Sequence, residues 1–239
     1  MPDVGAVGRA LLSVLDDVRD DHELAELICR SCVDGLDVDG AAISVHTASP
    51  LRETLFASDP TADLLEELQF TLGEGVCMEA AASGRPVLAP DLDDAAYADR
   101  WPVYADAVIE QAGVRAVFAF PLQWGTVNLG VLDLYRRAPG SLPRSQLWDA
   151  TGVVDTAALM LLGMRTTPRP NDGSPPAWDR SWSGRAEIHQ ATGMVVAQLG
   201  VGAADAFARL RAYSFAENRL LVEVSRDVVA RRLSFHEDQ

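Results

Sequence analysis

Apolar residues recur along this chain at two different periods, and the switches between them mark out its elements. Ala10, Leu11, Val14, Leu15 and Val18 fall at helical spacing, and Leu24, Leu27, Ile28 and Cys32 do the same. After Asp37-Val38-Asp39-Gly40 the pattern changes, predicting strands over Ala41–Thr47 and Thr54–Ser58 with a hairpin near Ser49-Pro50. Ala62–Phe70 returns to helical spacing. A turn at Leu72-Gly73-Glu74-Gly75 leads into a short helix ending at Ser83, then a short strand over Pro86–Ala89. Ala95–Ala112 reads as one helix with Pro102 near its start. Val114–Leu122 and Asn128–Tyr135 read as strands joined at Trp124-Gly125-Thr126, and a last helix runs from Pro143 to Met164. This order predicts an α+β unit over residues 1–165, in which one antiparallel sheet of about six short strands is covered by helices.

Residues 166–181 hold four prolines and a glycine, a composition that fits no helix interior or central strand and predicts a linker. Residues 182–239 then show three amphipathic segments: Gly184–Leu199 closed by Gly200, Ala203–Glu217, and a third starting after Asn218, read as its N-cap. Ile188, Ala191, Val195 and Leu199 form the inner stripe of the first. Ala206, Phe207, Leu210 and Ser214 form that of the second, and Leu221, Val224, Ser225 and Val228 that of the third. A small all-α bundle follows. On physics alone it suits a DNA-binding helix-turn-helix, a dimerisation bundle or an RNA binder.

Charge separates the two units further. The 239 residues carry a net charge of −15, yet residues 1–165 hold 11 Arg against 26 Asp or Glu, while residues 166–239 hold nine of each. An acidic field of that kind repels phosphates, so nucleic acid is expected only at the second unit. There, six Arg between Arg209 and Arg232 face Glu217, Glu223 and Asp227. The absence of lysine excludes Schiff-base and P-loop chemistry. No apolar run approaches the ~20 residues of a spanning helix, and Met1-Pro2-Asp3 opens no signal peptide. The expectation is a cytoplasmic protein without a membrane partner.

Three cysteines are too few for a disulfide scaffold. Cys29 and Cys32 share one helical face as small core residues, and without further thiol or His ligands at zinc spacing no metal or other cofactor is expected. Cys77 follows a Gly-rich turn at a helix start, where the dipole favours a thiolate. Phe118, Phe120 and Leu122 alternate in one strand, and Val131, Leu132 and Leu134 cluster in the next. One face of such a sheet packs on helices and the other can line a cavity. Cys77, Phe118, Phe120 and Leu132 are therefore the candidate ligand-pocket residues.

Strings in the first unit resemble a known family. Leu72-Gly73-Glu74-Gly75-Val76-Cys77, Gly84-Arg85-Pro86-Val87, Pro90-Asp91-Leu92, Arg100-Trp101-Pro102, Phe118-Ala119-Phe120-Pro121-Leu122 and Leu129-Gly130-Val131-Leu132-Asp133-Leu134-Tyr135 follow one another as in GAF domains of actinobacterial regulators. The resemblance implies a sensor or dimerisation module with a small-molecule pocket, and Val76 stands where these relatives often carry Pro. In the second unit, Arg185-Ala186-Glu187-Ile188-His189-Gln190-Ala191-Thr192-Gly193-Met194, then Ala206-Phe207-Ala208-Arg209-Leu210-Arg211, then Asn218-Arg219 with Glu223-Val224-Ser225, resemble the ANTAR domain. Thr192 and Ser225 depart from its usual Lys and Ala. That resemblance implies a non-enzymatic antitermination regulator. A homodimer would present two bundles to two RNA hairpins, and RNA polymerase would be affected only indirectly.

On that reading Arg209, Arg211, Arg219 and Arg226 meet phosphates or stack on bases. Gln190, Thr192 and Asn218 bond base edges, and Tyr213 stacks. Helices over Arg9–Leu27 and Gln146–Leu162 are the dimer candidates. Two other functions stay open at this point: a bundle that binds DNA or protein, and a GAF-type methionine sulfoxide reductase built on Cys77, for which no resolving cysteine is evident.

Overall fold

A computed structural model describes Val7, Val18 and residues 20–46, 52–166 and 186–236. Most of the helix predicted over Ala10–Val18, the Ser49-Pro50 turn and linker residues 167–181 lie outside the described residues.

Helix α1 (Asp21–Gly35) starts at Asp20, whose carboxylate accepts the Glu23 N–H at 2.9 Å, and buries Leu24, Ile28, Cys29 and Cys32. Strands β1 (Gly40–His46) and β2 (Arg52–Ala57) pair antiparallel. Helix α2 (Pro60–Leu72) and helix α3 (Val76–Ser83) follow, then strand β3 (Val87–Ala89). The segment read as one helix over Ala95–Ala112 is instead three pieces: α4 (Ala95–Arg100), α5 (Tyr104–Ala107) and a π turn over Val108–Ala112. Pro102 lacks the N–H that would continue the first piece, and the Glu74 carboxylate restarts the chain by accepting the Val103 and Tyr104 N–H groups at 2.8 and 2.7 Å. Strands β4 (Ala116–Trp124) and β5 (Val127–Arg136) form the central hairpin, and α6 (Arg144–Thr166) completes the unit.

Among the described residues the sheet has five strands, where about six were expected, in the order β2-β1-β5-β4-β3, with every neighbouring pair antiparallel. Pro121 sits in β4 beyond the end of β3, where its missing N–H breaks no ladder bond to that strand. Helices lie on both faces. Phe118, Phe120, Leu122, Leu132 and Leu134 pack with α1 and α6, whereas Val117, Ala119, Val131 and Tyr135 pack with α2, α3 and the α5 region.

Helix α2 is fixed at its start. The Asp59 carboxylate accepts the Thr61 and Ala62 N–H groups at 2.8 and 3.0 Å, the Ser58 hydroxyl at 2.7 Å, and the Tyr135 hydroxyl from β5 at 2.9 Å. Burial pushes the Asp59 carboxyl up, but these hydrogen bonds outweigh it and hold the group below its ordinary value. Burial and the neighbouring carboxylate push the Tyr135 hydroxyl up to about 12, so it remains a donor.

The second unit contains α7 (Ala186–Leu199), α8 (Ala203–Ala216) and α9 (Leu221–Val229), with Ile188, Ala191, Val195, Ala206, Leu210, Ser214, Leu221, Val224, Ser225 and Val228 buried as the periodicity predicts, while Leu199 and Phe207, expected on the same stripes, are only half-buried. One expectation is corrected. Asn218 does not cap α9. It lies at φ 50°, its N–H bonds to Phe215 O, and the next N–H bonds to Ser214 O, so it terminates α8 in the left-handed conformation that Asn tolerates. The N-cap of α9 is Leu220, which has no side-chain oxygen to offer.

Because the Asp59 carboxyl is depressed on folding, its contribution is present above the unfolded carboxylate pKa of ~3.9 and is lost as pH falls through the folded value. Tyr135→Phe removes one of its donors and is expected to lower stability by about 0.5–1.5 kcal/mol at neutral pH. It should also shift the midpoint of acid unfolding upward. Urea denaturation followed at several pH values checks both.

Candidate functional site

Two places are candidates for functional chemistry. The first lies on the α2 side of the sheet. Ala42, Leu65, Glu66, Gln69, Tyr104 and Asp133 border a cavity of about 10 Å³, room for roughly one water. Beside it, the donor atoms of Glu66, Cys77 and Asp133 all lie within 4.8 Å of one another. All three side chains are buried. Gln69 organises them: its Oε1 accepts the Cys77 N–H at 2.7 Å and its Nε2 donates to Glu66 at 3.5 Å. The Thr54 hydroxyl donates to Glu66 at 3.4 Å, and Ser44 Oγ lies 3.6 Å from Cys77 Sγ.

Of the four residues expected to line a pocket, Cys77 stands in this cluster and the other three do not. Phe118, Phe120 and Leu132 belong to the opposite face, under α1 and α6. The register explains it. Phe118 pairs with Leu134 and Phe120 with Leu132, so both phenylalanines share the face under α1 and α6, and the cavity side receives Val117, Asp133 and Tyr135. Glu66 and Gln69 went unnoticed in the sequence. Their signal was two polar residues on the inward stripe of an amphipathic helix, where both are buried.

The thiols do not support redox chemistry. All three cysteines are buried. Burial, and secondarily the neighbouring Cys32, pushes the Cys29 thiol well up, and burial pushes Cys32 up to about 12. Cys77 does stand in the first turn of α3, but with no exposed surface.

The second place is the surface of the three-helix bundle. Gln190, Arg209 and Asn218 are exposed there, as an RNA-facing role needs. Other predicted residues are engaged internally. The Thr192 hydroxyl donates to Ile188 O at 2.7 Å, and the Tyr213 ring meets Phe235 edge-on at 5.5 Å. Arg219 pairs with Asp227 at 2.7 Å, and Arg226 with Glu187 at 2.8 Å. Arg211 is drawn away altogether. Its Nε donates to Thr71 O at the end of α2, at 2.9 Å, and burial lowers its pKa below the ordinary guanidinium value. Phe215, which sequence reasoning passed over, is 57% exposed. It stands four residues beyond Arg211 and eight beyond Phe207, so the three share one stripe of α8.

Comparison with family models matches residues 18–161 to the GAF domain and residues 180–229 to the ANTAR domain. The chain belongs to the GAF family and carries an ANTAR domain behind it. Among curated proteins none matches this chain significantly. Among solved structures, the GAF domain of an Acinetobacter phosphoenolpyruvate-protein phosphotransferase is 12% identical with a TM-score of 0.51, covering 66% of this chain and 91% of its own. The GAF domain of cyanobacteriochrome TePixJ is 14% identical with a TM-score of 0.51, covering 64% and 96%. A free methionine-R-sulfoxide reductase from Neisseria meningitidis is 16% identical, covers 66% and 87%, and has a TM-score of 0.47, too loose a likeness to transfer chemistry. At these identities the solved structures bear on the GAF fold alone.

The GAF–ANTAR pairing is that of a regulator rather than an enzyme: a sensory or dimerisation module joined to an RNA-binding antitermination module. Among the described residues no single helix is long and apolar enough to cross a membrane; α7 and α8 pass on length and composition only as a pair bent by 106°. With the thiols buried, Cys29, Cys32 and Cys77 are expected to remain unalkylated by iodoacetamide at neutral pH in the folded GAF–ANTAR protein and to react together on denaturation. Intact-mass spectrometry counts the adducts.

Proposed function

We propose that this protein is an antitermination regulator that acts by holding adjacent RNA hairpins with two ANTAR bundles, one from each chain of a homodimer. The observation that carries this is the Phe207–Arg211–Phe215 stripe. Hairpin loops present splayed bases, and an aromatic ring such as Phe215 offers a face on which a base stacks, while guanidinium groups stack or meet phosphates. Arg209 and Gln190, both exposed, add a phosphate contact and a base-edge contact. Of the remaining candidates, Arg219 and Arg226 reach RNA only by exchanging their carboxylate partners. Asn218 offers its amide from the α8 terminus, and Tyr213 and Thr192 support the bundle rather than contact the ligand.

The work is an equilibrium between RNA folds: a pair of bundles that binds one fold and not the overlapping one shifts the population by its differential affinity. Pairing raises the local concentration of the second bundle. A surface for it exists on α6, where Trp148 is 64% and Leu159 51% exposed, three turns apart on one side of the helix. The acidic GAF unit supplies the sensing cavity at Glu66, Cys77 and Asp133. RNA polymerase is affected through the transcript it has just made.

Phe215→Ala is expected to weaken binding of a two-hairpin RNA by tenfold or more, in line with ~1–3 kcal/mol per stacked base. Arg209→Ala should weaken it less and reduce the log–log salt slope by ~0.7. Fluorescence anisotropy with the full chain at three salt concentrations measures both, and duplex DNA of the same sequence should not compete. Trp148→Glu should convert the dimer to monomer in sedimentation velocity and lose the two-hairpin advantage over a single hairpin.

A further inference from the structure

The GAF and ANTAR units touch through helix ends, and each end completes the other. Helix α2 has no basic residue in its last turn, so its final carbonyls and the negative end of its dipole lack a cation from their own helix. Arg211 of α8 supplies one, donating to Thr71 O at 2.9 Å. In return Thr71 Oγ1 accepts the Leu221 N–H at 3.2 Å, providing the oxygen that Leu220 cannot at the start of α9. Phe70 inserts into the ANTAR core alongside Leu210 and Leu221, with its ring 5.8 Å from that of Phe207, and Leu220 packs against the GAF side. Gly73 makes the fit possible. It ends α2 at φ 70°, and a Cβ there would overlap the Arg211 guanidinium.

These contacts fall on the stripe of α8 best suited to bases. Phe207 and Arg211, both half-buried, lie against the GAF helix, while Phe215, one turn on, is left exposed. We propose that the end of α2 and RNA compete for this stripe, so that the docked arrangement described here is the RNA-silent state. The inference rests on the RNA-binding reading above. The covering helix is also a wall of the cavity: Glu66 and Gln69 border it, and Phe70 and Thr71 follow directly. A change at the Glu66–Cys77–Asp133 cluster that shifts α2 therefore acts on the cap without passing through the linker.

The test changes only the GAF side, leaving every ANTAR residue intact. In the full chain, Thr71→Val removes the hydroxyl acceptor while keeping its shape, and Phe70→Ala removes the inserted ring. Two readouts are taken: amide hydrogen exchange at Leu221, and anisotropy of a labelled RNA with two adjacent hairpins. The expected result is exchange at Leu221 faster by tenfold or more and RNA affinity higher by at least fivefold in both variants, with the near-ultraviolet circular dichroism of the fold preserved. If Phe70→Ala loses that signature, Thr71→Val alone decides. Faster exchange with unchanged RNA affinity overturns the competition while leaving the RNA reading in place. Unchanged exchange overturns the cap itself. Failure of wild type and both variants to bind the RNA, with exchange accelerated, overturns the RNA reading and the competition together.

Discussion

The architecture turns on a pair of helix ends that are each incomplete alone. An α-helix leaves carbonyls unmet at its C-terminus and N–H groups unmet at its N-terminus, and burying either without a partner is costly. Helix α2 of the GAF unit and helix α9 of the ANTAR unit meet this requirement in one another, through Thr71, with Arg211 as the cation. The contact is small and polar at its centre, with Phe70 and Phe207 beside it. Such a joint favours a defined relative placement yet remains weak enough to open, because solvent can replace every hydrogen bond it makes once the ends are exposed.

Much of the fold was legible in the sequence. Periodicity located α1, α2, α6 and the three ANTAR helices to within a few residues, and the inward residues of the bundle were those the spacing named. It failed where a single side chain overrides a pattern. Pro102 together with Glu74 divides a stretch that is helical by composition. Asn218 suited a helix start and in fact finishes the preceding helix, since the same side chain that favours a cap also tolerates a left-handed backbone.

The functional places were legible only in part. Cys77 was found because a glycine-rich turn drew attention to it, but strand alternation does not say which face holds the cavity. That choice depends on register, and the phenylalanines went to the side under α1 and α6. Glu66 showed only as a polar residue on the inward stripe of α2, and Asp133 was silent because alternation along β5 does not say which of its faces is closed off. Arg211 shows the complementary limit. Its chemistry pointed to phosphate, and long-range packing gave it a backbone carbonyl 140 residues away.

The uneven charge of the chain has a kinetic consequence. While the bundle rests on a unit with 26 acidic and 11 basic side chains, an approaching polyanion meets a repulsive potential even at the exposed Arg209. Under the proposed competition, lifting the bundle away removes that potential along with the steric cover, so opening accelerates encounter as well as tightening grip. At ionic strengths where the Debye length shrinks below ~8 Å the first effect fades and only the second remains. In the proposed competition, the speed of transcript capture is thus set by salt, while the decision to capture is set by the joint.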